Sequence, residues 1–158
     1  MDRRQAIKTA LMGGAVLLLD RGIVSAKEYY PDKVNKSLFQ NINRAKTPGE
    51  EKGLEMLHSP VIKAPDRVKA GDVFPVEVDI GRAPHPMGPA HWIEYLQLNI
   101  GNEPAGNVIF RSHGSVKAAA RFNVLWGEDM KGKSISLVVQ IKCNLHGIWE
   151  NHANVKVA

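Results

Sequence analysis

The fold is decided by the stretch Val73–Ile80, VFPVEVDI, in which apolar and polar side chains alternate along the chain. The valines after Pro75 fall on one face with Ile80, whereas Glu77 and Asp79 fall on the other, and this period is that of a half-buried β-strand. Because proline cannot donate to a ladder, Pro75 predicts that the strand lies at a sheet edge or starts at a bulge.

The same alternation returns in the sequence on the C-terminal side of this stretch. It is found in Trp92–Ile100, Asn107–Arg111, Ala119–Trp126 and Ser134–Ile141, and a last short strand is expected over Ala153–Val157. Glycine- and proline-rich turn signals separate these segments. Short strands with turns at this spacing predict an all-β domain over residues 54–158, an immunoglobulin-like β-sandwich of about seven strands.

Residues 1–26 have the layout of an export signal, and residues 27–53 form a polar lead-in with a short helix expected around 34–43. The signal has a charged start at Arg3 and Arg4, an apolar segment Ala10–Leu19 and a small-residue end at Val24–Ala26. It resembles a twin-arginine signal, and its apolar run is short for a bilayer core of roughly 30 Å. We therefore expect a periplasmic or extracytoplasmic protein, which an uncleaved leader would tether to the membrane.

Charge and cysteine content exclude several function classes. The formal net charge is +5 over 158 residues, and no run of five basic residues suggests a nucleic-acid arm. The one cysteine excludes an intrachain disulfide and a four-cysteine centre within one chain.

Two motifs combine residues that bind metals. Cys143-Asn144-Leu145-His146-Gly147 follows the most apolar strand, where a thiolate and an imidazole three residues apart can face one metal. His85 and His91 bracket a loop rich in proline and glycine, which is stiff before any metal binds. Four nitrogen and sulfur donors from two loops indicate a metal site.

These motifs resemble the two signatures of superoxide reductases, which include neelaredoxins and the catalytic domain of desulfoferrodoxins. The matching residues are His85-Pro86-Met87 with His91-Trp92-Ile93, and Cys143-Asn144-x-His146-Gly147-x-Trp149-Glu150. The resemblance extends over about His58–Val157, and two independent motifs carry it.

The resemblance implies one mononuclear non-haem iron with four histidines in a plane and one cysteine on the axis. Cys143 would be the axial thiolate, and His85, His91 and His146 would be equatorial. His58 precedes Ser59-Pro60-Val61-Ile62, as the fourth histidine of the family precedes a similar segment, and would complete the set. The position opposite the sulfur would then be open to superoxide, which is reduced by one electron to hydrogen peroxide.

One departure from the family pattern lies just before His58. Many members have Glu-Lys there, to cap ferric iron and attract superoxide, whereas this chain has Met56-Leu57. Glu51-Lys52 occurs five residues earlier, as if a segment had been inserted. Glu51 and Lys52 on a swinging loop, or Glu55, are the candidate catalytic residues, and solvated surface roles are the alternative.

The resemblance also implies partners. Superoxide is the substrate, and an external redox protein must reduce the iron again. Rubredoxins serve cytoplasmic relatives, so an exported protein would need a rubredoxin-like or other donor. A homodimer or homotetramer is expected, and no nucleic acid.

Three other interpretations remain open at this point. A cupredoxin-like electron carrier also combines a sandwich with Cys and His, although no methionine follows His146 and His91 would be unexplained. An iron-binding relative with weak reductase activity could act as a sensor or bind a small ligand. A purely structural sandwich would leave the ligand motifs as coincidence.

Overall fold

The computed structural model describes residues 36–112 and 116–158, and strands dominate these ranges. The eight strands are β1 Pro60–Lys63, β2 Arg67–Val68, β3 Val73–Ile80, β4 Ile93–Ile100, β5 Glu103–Ile109, β6 Ala119–Leu125, β7 Ser134–Cys143 and β8 Gly147–Val157. The described ranges also contain one α-helix, α1 Leu54–His58, and the 3-10 turns Lys36–Phe39 and Glu128–Met130. The all-β prediction is confirmed, with eight strands in these ranges instead of about seven.

The predicted export signal, residues 1–26, lies outside the described residues, and so does the lead-in up to residue 35. Within the described ranges, no helix has the length and apolar character that crossing a membrane requires.

The strands form two sheets. A three-stranded sheet has the order β1-β3-β6, and a five-stranded sheet has the order β2-β8-β7-β4-β5. A single cluster of buried apolar side chains contains members of both sheets, among them Val76 and Val78 of β3, Leu96 of β4 and Ile141 of β7. The two sheets therefore pack over one shared core as a sandwich.

Strand β3 has the alternation that the sequence predicts, since its burial changes at every residue and Ile80 is buried. It lies between β1 and β6, so the prediction that the whole strand lies at an edge is wrong. The missing N–H of Pro75 is nevertheless accommodated, because β3 has a partner on only one side at that residue. The pairing with β1 ends at Lys63 and Glu77, and Pro75 faces only Asn123 of β6.

Three chain segments meet at one end of the sandwich. Helix α1 runs into β1, whose first residue pairs with Ile80 at the end of β3. The β3–β4 loop then leads to Ile93, which pairs with Cys143 at the end of β7. Cys143 also pairs with Gly147, so a tight turn joins β7 to β8 at the same place. This convergence brings both sequence motifs and the segment before β1 to one site.

The chain before α1 lies along the start of β8. Asn43 donates its backbone N–H to Ile148 O at 2.9 Å, and its side-chain amide donates to both Ile148 O and Leu38 O at 2.8 Å. Gly147 has a φ of +73°, and a Cβ there would overlap the carbonyl oxygen of Leu38. The residues around Leu38 and Asn43 therefore cover the β7–β8 turn directly.

Candidate metal centre

The structure brings all five predicted metal ligands together. His58, His85, His91 and Cys143 each present a donor atom within 4.8 Å of the others. His146 faces the same group, because its Nδ1 lies 3.0 Å from His58 Nε2 and 3.5 Å from Cys143 Sγ.

The four imidazole rings stand at the corners of an approximate square. Neighbouring ring centroids are 4.7 Å apart for His58 and His85, 4.5 Å for His85 and His91, 4.9 Å for His91 and His146, and 4.7 Å for His146 and His58. The centroids of His58 and His91, on a diagonal, are 6.0 Å apart. Cys143 Sγ lies 3.2 Å from His91 Nε2 and contacts His146 as well.

Backbone carbonyls determine which nitrogen of two rings carries the proton. His58 Nδ1 lies 2.7 Å from Leu54 O, and His85 Nδ1 lies 2.6 Å from Pro86 O. A carbonyl oxygen can only accept, so Nδ1 is the donor in both rings, and each Nε2 keeps its lone pair. The two Nε2 atoms are 3.0 Å apart. Two lone pairs at this distance repel each other unless a cation lies between them.

Burial keeps the imidazoles neutral. Desolvation lowers the pKa of His58 to about 4 and that of His85 to about 3. It also lowers the pKa values of His91 and His146. Neutral imidazoles are the form that binds metals, so these four rings are ready as ligands at neutral pH.

The thiol of Cys143 is fully buried. Burial raises its pKa to about 11, against the opposing effect of hydrogen bonds from the backbone amides of Leu145 and His146. The Leu145 amide lies 3.5 Å from the sulfur. A metal would therefore displace a proton from the sulfur when it binds, and the amides would stabilise the resulting thiolate.

Asn144 joins the two ligand motifs, a role that the sequence analysis does not predict. Its side-chain oxygen accepts from the Trp92 N–H at 2.9 Å, and its side-chain amide donates to Ala90 O at 3.0 Å. Its backbone N–H also donates to Trp92 O. These bonds hold both neighbours of His91. The only sequence signal is the position of Asn144 between Cys143 and His146.

Trp149, which belongs to the second motif, supports the site from β8. Its ring stacks on His58 with centroids 5.3 Å apart and planes 23° apart. It is buried, 4% exposed, and fills the core beneath the ligands.

The three candidate catalytic residues occupy different surroundings. Glu51 is buried and forms an ion pair with Arg82, with Oε2 at 2.5 Å from Nε. Lys52 is exposed, and Glu55 is half-buried in α1. Only Glu51 is thus anchored, and the catalytic roles of all three residues stay predictions.

The donor set fits a metal of the iron group. Two ligand nitrogens at right angles, each about 2.1 Å from a metal, would lie about 3.0 Å apart. His58 Nε2 is 3.0 Å from both His85 Nε2 and His146 Nδ1. Imidazoles suit iron, copper, nickel and zinc, and a thiolate adds a soft ligand.

Comparison with known proteins decides between these metals. The desulfoferrodoxin family model matches residues 46–152. The chain belongs to the desulfoferrodoxin family. This confirms the resemblance that the two motifs predict, and the histidine and cysteine group fits the one mononuclear iron centre of desulfoferrodoxin-type sites.

Individual relatives of the desulfoferrodoxin family agree. A relative from Methanocaldococcus jannaschii is 37% identical over 71% of this chain and 90% of its own length. A superoxide reductase from Thermococcus kodakarensis is 34% identical over 75% of this chain and 99% of its own. The superoxide reductase (neelaredoxin) structure from Ignicoccus hospitalis is 30% identical and has a TM-score of 0.62 over 78% of this chain and 98% of that one.

Proposed function

We propose that this chain is a superoxide reductase whose single iron is held by His58, His85, His91 and His146 in a plane and by Cys143 on the axis. The square of four imidazoles with the thiol against two of its corners carries the proposal. Superoxide is the proposed substrate because this chain matches nearly the whole length of relatives that are named superoxide reductases.

An iron ion held by these five residues would supply one electron to superoxide, which with two protons would give hydrogen peroxide and leave the iron ferric. The chain contributes neutral imidazoles that need no deprotonation before they bind. Leu145 and His146 contribute amides that tune the sulfur. As the resemblance to the family implies, the iron that these five residues would hold would leave a coordination position for superoxide.

Lys52 is our candidate to attract superoxide and to organise water for its protonation, and Glu55 is our candidate capping carboxylate, because both oxygens of Glu51 already have hydrogen-bond partners. Lys52 is exposed and next to the anchored Glu51, and Glu55 lies one turn before His58 in α1. A lysine ammonium near the approach path would attract the anion by short-range Coulomb forces.

The remaining parts of the proposal concern the setting of the reaction. The leader-like residues 1–26 support export to the periplasm by the twin-arginine route, which carries folded proteins. An external donor, a rubredoxin-like or another redox protein, would return the iron to the ferrous state. We also expect a homo-oligomer, as a dimer or tetramer.

Two interpretations compete with this proposal. Four imidazoles around one point, where a cupredoxin needs two, argue against the electron carrier. The substitution of Met56-Leu57 for the family's Glu-Lys favours an iron-binding relative that reduces superoxide slowly.

Pulse radiolysis of the ferrous protein tests the proposal. We expect one iron per chain, a blue absorption band in the ferric form, and reaction with superoxide near the diffusion limit. Cys143→Ser should remove the blue band, and His58→Ala should lower the iron content. His152→Ala is the matched control, because His152 is exposed and outside the site. A slow reaction at full iron content would favour the sensor interpretation instead.

A further inference from the structure

Glu51 is an anchored carboxylate. Its side chain is only 5% exposed, and both of its oxygens have partners. Oε1 accepts from the Gly49 N–H at 2.9 Å, and Oε2 accepts from Arg82 Nε at 2.5 Å. The hydrogen bond from Gly49 lowers the pKa of Glu51, and Arg82 lowers it further, so the carboxylate is charged at neutral pH. Carboxylates are seldom buried unless they are paired in this way.

The backbone at Arg82 contacts the C-terminal end of the segment that runs from Glu51 through helix α1. The amides of Arg82 and Ala83 both donate to Met56 O, at 2.8 and 3.2 Å. Gly81 has a φ of +72°, and a Cβ there would lie 2.6 Å from the carbonyl oxygens of Met56 and Leu57. The loop that follows β3 therefore contacts α1 at its last turn, and through the Arg82 side chain it reaches Glu51, before the helix begins.

These contacts connect the chain segments that carry two of the proposed iron ligands. His58 is the last residue of α1, and His85 is three residues beyond Arg82. Their Nε2 atoms face each other at 3.0 Å with both lone pairs directed inward. Neutral rings would move apart if nothing held their segments, so the protein must supply the force that keeps them close before a metal binds.

We propose that the Glu51–Arg82 ion pair is a clamp that holds His58 and His85 in adjacent coordination positions. The proposal rests on the ligand set given under the proposed function, and it deepens that function by naming two positioning residues. It also gives Glu51 a role different from capping the iron. The clamp makes the inserted segment 53–57 part of the scaffold of the site.

The test uses cobalt(II) as the probe, because its affinity and d–d absorption report ligand geometry without any redox reaction. The variants are Glu51→Gln, Arg82→Gln, Arg82→Lys and the double variant Glu51→Gln/Arg82→Gln, all in the full chain. The matched control is Arg121→Gln, which removes an exposed ion pair with Glu77 between β3 and β6.

The clamp predicts that each single glutamine variant lowers cobalt affinity by roughly 10-fold or more, the usual cost of losing a support behind a metal ligand. The double variant should be no weaker than either single variant, because both remove the same interaction. The d–d bands should shift in all three, Arg82→Lys should restore part of the affinity, and Arg121→Gln should match the wild type.

Two results would overturn the clamp. The first is cobalt affinity and d–d bands that do not change in either glutamine variant. The second is a ferric absorption change in Glu51→Gln while Arg82→Gln behaves as wild type, since Glu51 would then act on the iron itself. If Glu51→Gln does not fold, the Arg82 variants decide, because the Arg82 side chain is 52% exposed. A slow superoxide reaction of the wild type would contradict the proposed function and leave these affinities unchanged.

Discussion

Trp149 Nε1 donates a hydrogen bond of 2.9 Å to the carbonyl oxygen of His146, so a core side chain of β8 holds the turn that carries a ligand nitrogen. Trp149→Phe keeps an aromatic ring against His58 but removes this donor together with part of the buried indole. We expect a loss of about 1–3 kcal/mol in the free energy of unfolding, because a carbonyl loses its partner. The ferric EPR spectrum should also change as His146 moves.

Trp126→Phe is the control for that substitution. Trp126 is equally buried, 5% exposed, but its Nε1 has no partner among the described residues. Its replacement should leave the EPR spectrum unchanged and affect stability only through packing. Equal spectra for wild type and Trp149→Phe would show that the hydrogen bond does not position His146.

Asn144→Ala removes two side-chain hydrogen bonds, to Ala90 and Trp92, that hold the neighbours of His91. We expect the affinity for iron to fall by roughly 10- to 100-fold, as for other supports behind metal ligands. Competition with a chelator measures this, and Asn154→Ala, at an exposed position of β8, is the control. Unchanged affinity in Asn144→Ala would contradict the positioning role.

Metal affinity should rise with pH because of Cys143. Its thiol has a pKa of about 11 in the metal-free protein, so each metal that binds at neutral pH releases one proton from the sulfur. The four imidazoles have lowered pKa values and release none above about pH 7. We expect cobalt affinity to increase about 10-fold per pH unit between roughly pH 7 and 10.

The Cys143→Ser variant should remove most of that pH dependence, since its hydroxyl is not a thiolate donor. A wild-type slope near zero over the same range would mean that Cys143 is already deprotonated without metal or is not a ligand.

The metal-free protein should lose stability in mild acid because of His58 and His85. Their folded pKa values, about 4 and about 3, lie below the ordinary value of 6.5. The unfolded chain therefore binds more protons than the folded one below about pH 6.5, and the free energy of unfolding falls as the pH drops toward 4. His91 and His146, whose pKa values are also lowered, contribute in the same direction, so urea unfolding at several pH values should show a slope of about two protons or more.

His58→Gln should reduce this slope by about one proton, whereas His152→Ala at an exposed position should leave it unchanged. The comparison is cleanest above about pH 5.5, because carboxylates whose pKa values are lowered in the folded protein, those of Glu51, Asp79 and Glu150, contribute in the same direction below that value. A flat stability profile between pH 6.5 and 4.5 would contradict the burial of neutral imidazoles.

The sequence predicts the strands of this fold wherever alternation lasts long enough. Strand β3 has the predicted bounds, whereas β8 begins at Gly147 instead of at 153 because it pairs with β7 along its whole length. Strands β1 and β2 are not predicted, since four and two residues are too few to show a period. The helix expected around 34–43 is, in the described residues, a 3-10 turn and one bridge at Asn43.

The metal ligands that stand close together in the sequence could be predicted from it. Cys143 with His146, and His85 with His91, stand in short motifs whose residue types already indicate a metal. The supports do not have such signals. Glu51 and Arg82 are 31 residues apart, and an ordinary glutamate and arginine carry no mark that they pair across that distance. Only the packing of α1 on the β3–β4 loop makes them neighbours.

The contact between His58 and His146 spans 88 residues of chain. Closing a loop of this length is entropically costly, and such contacts form late compared with hairpins like β7–β8. No short stretch of the chain contains more than two of the proposed ligands, so an incomplete or unfolded chain has no way to capture iron at full strength. Tight iron binding therefore requires the folded chain. A bound ion would raise the free energy of unfolding of the whole sandwich, because all of its ligand segments must separate to release it.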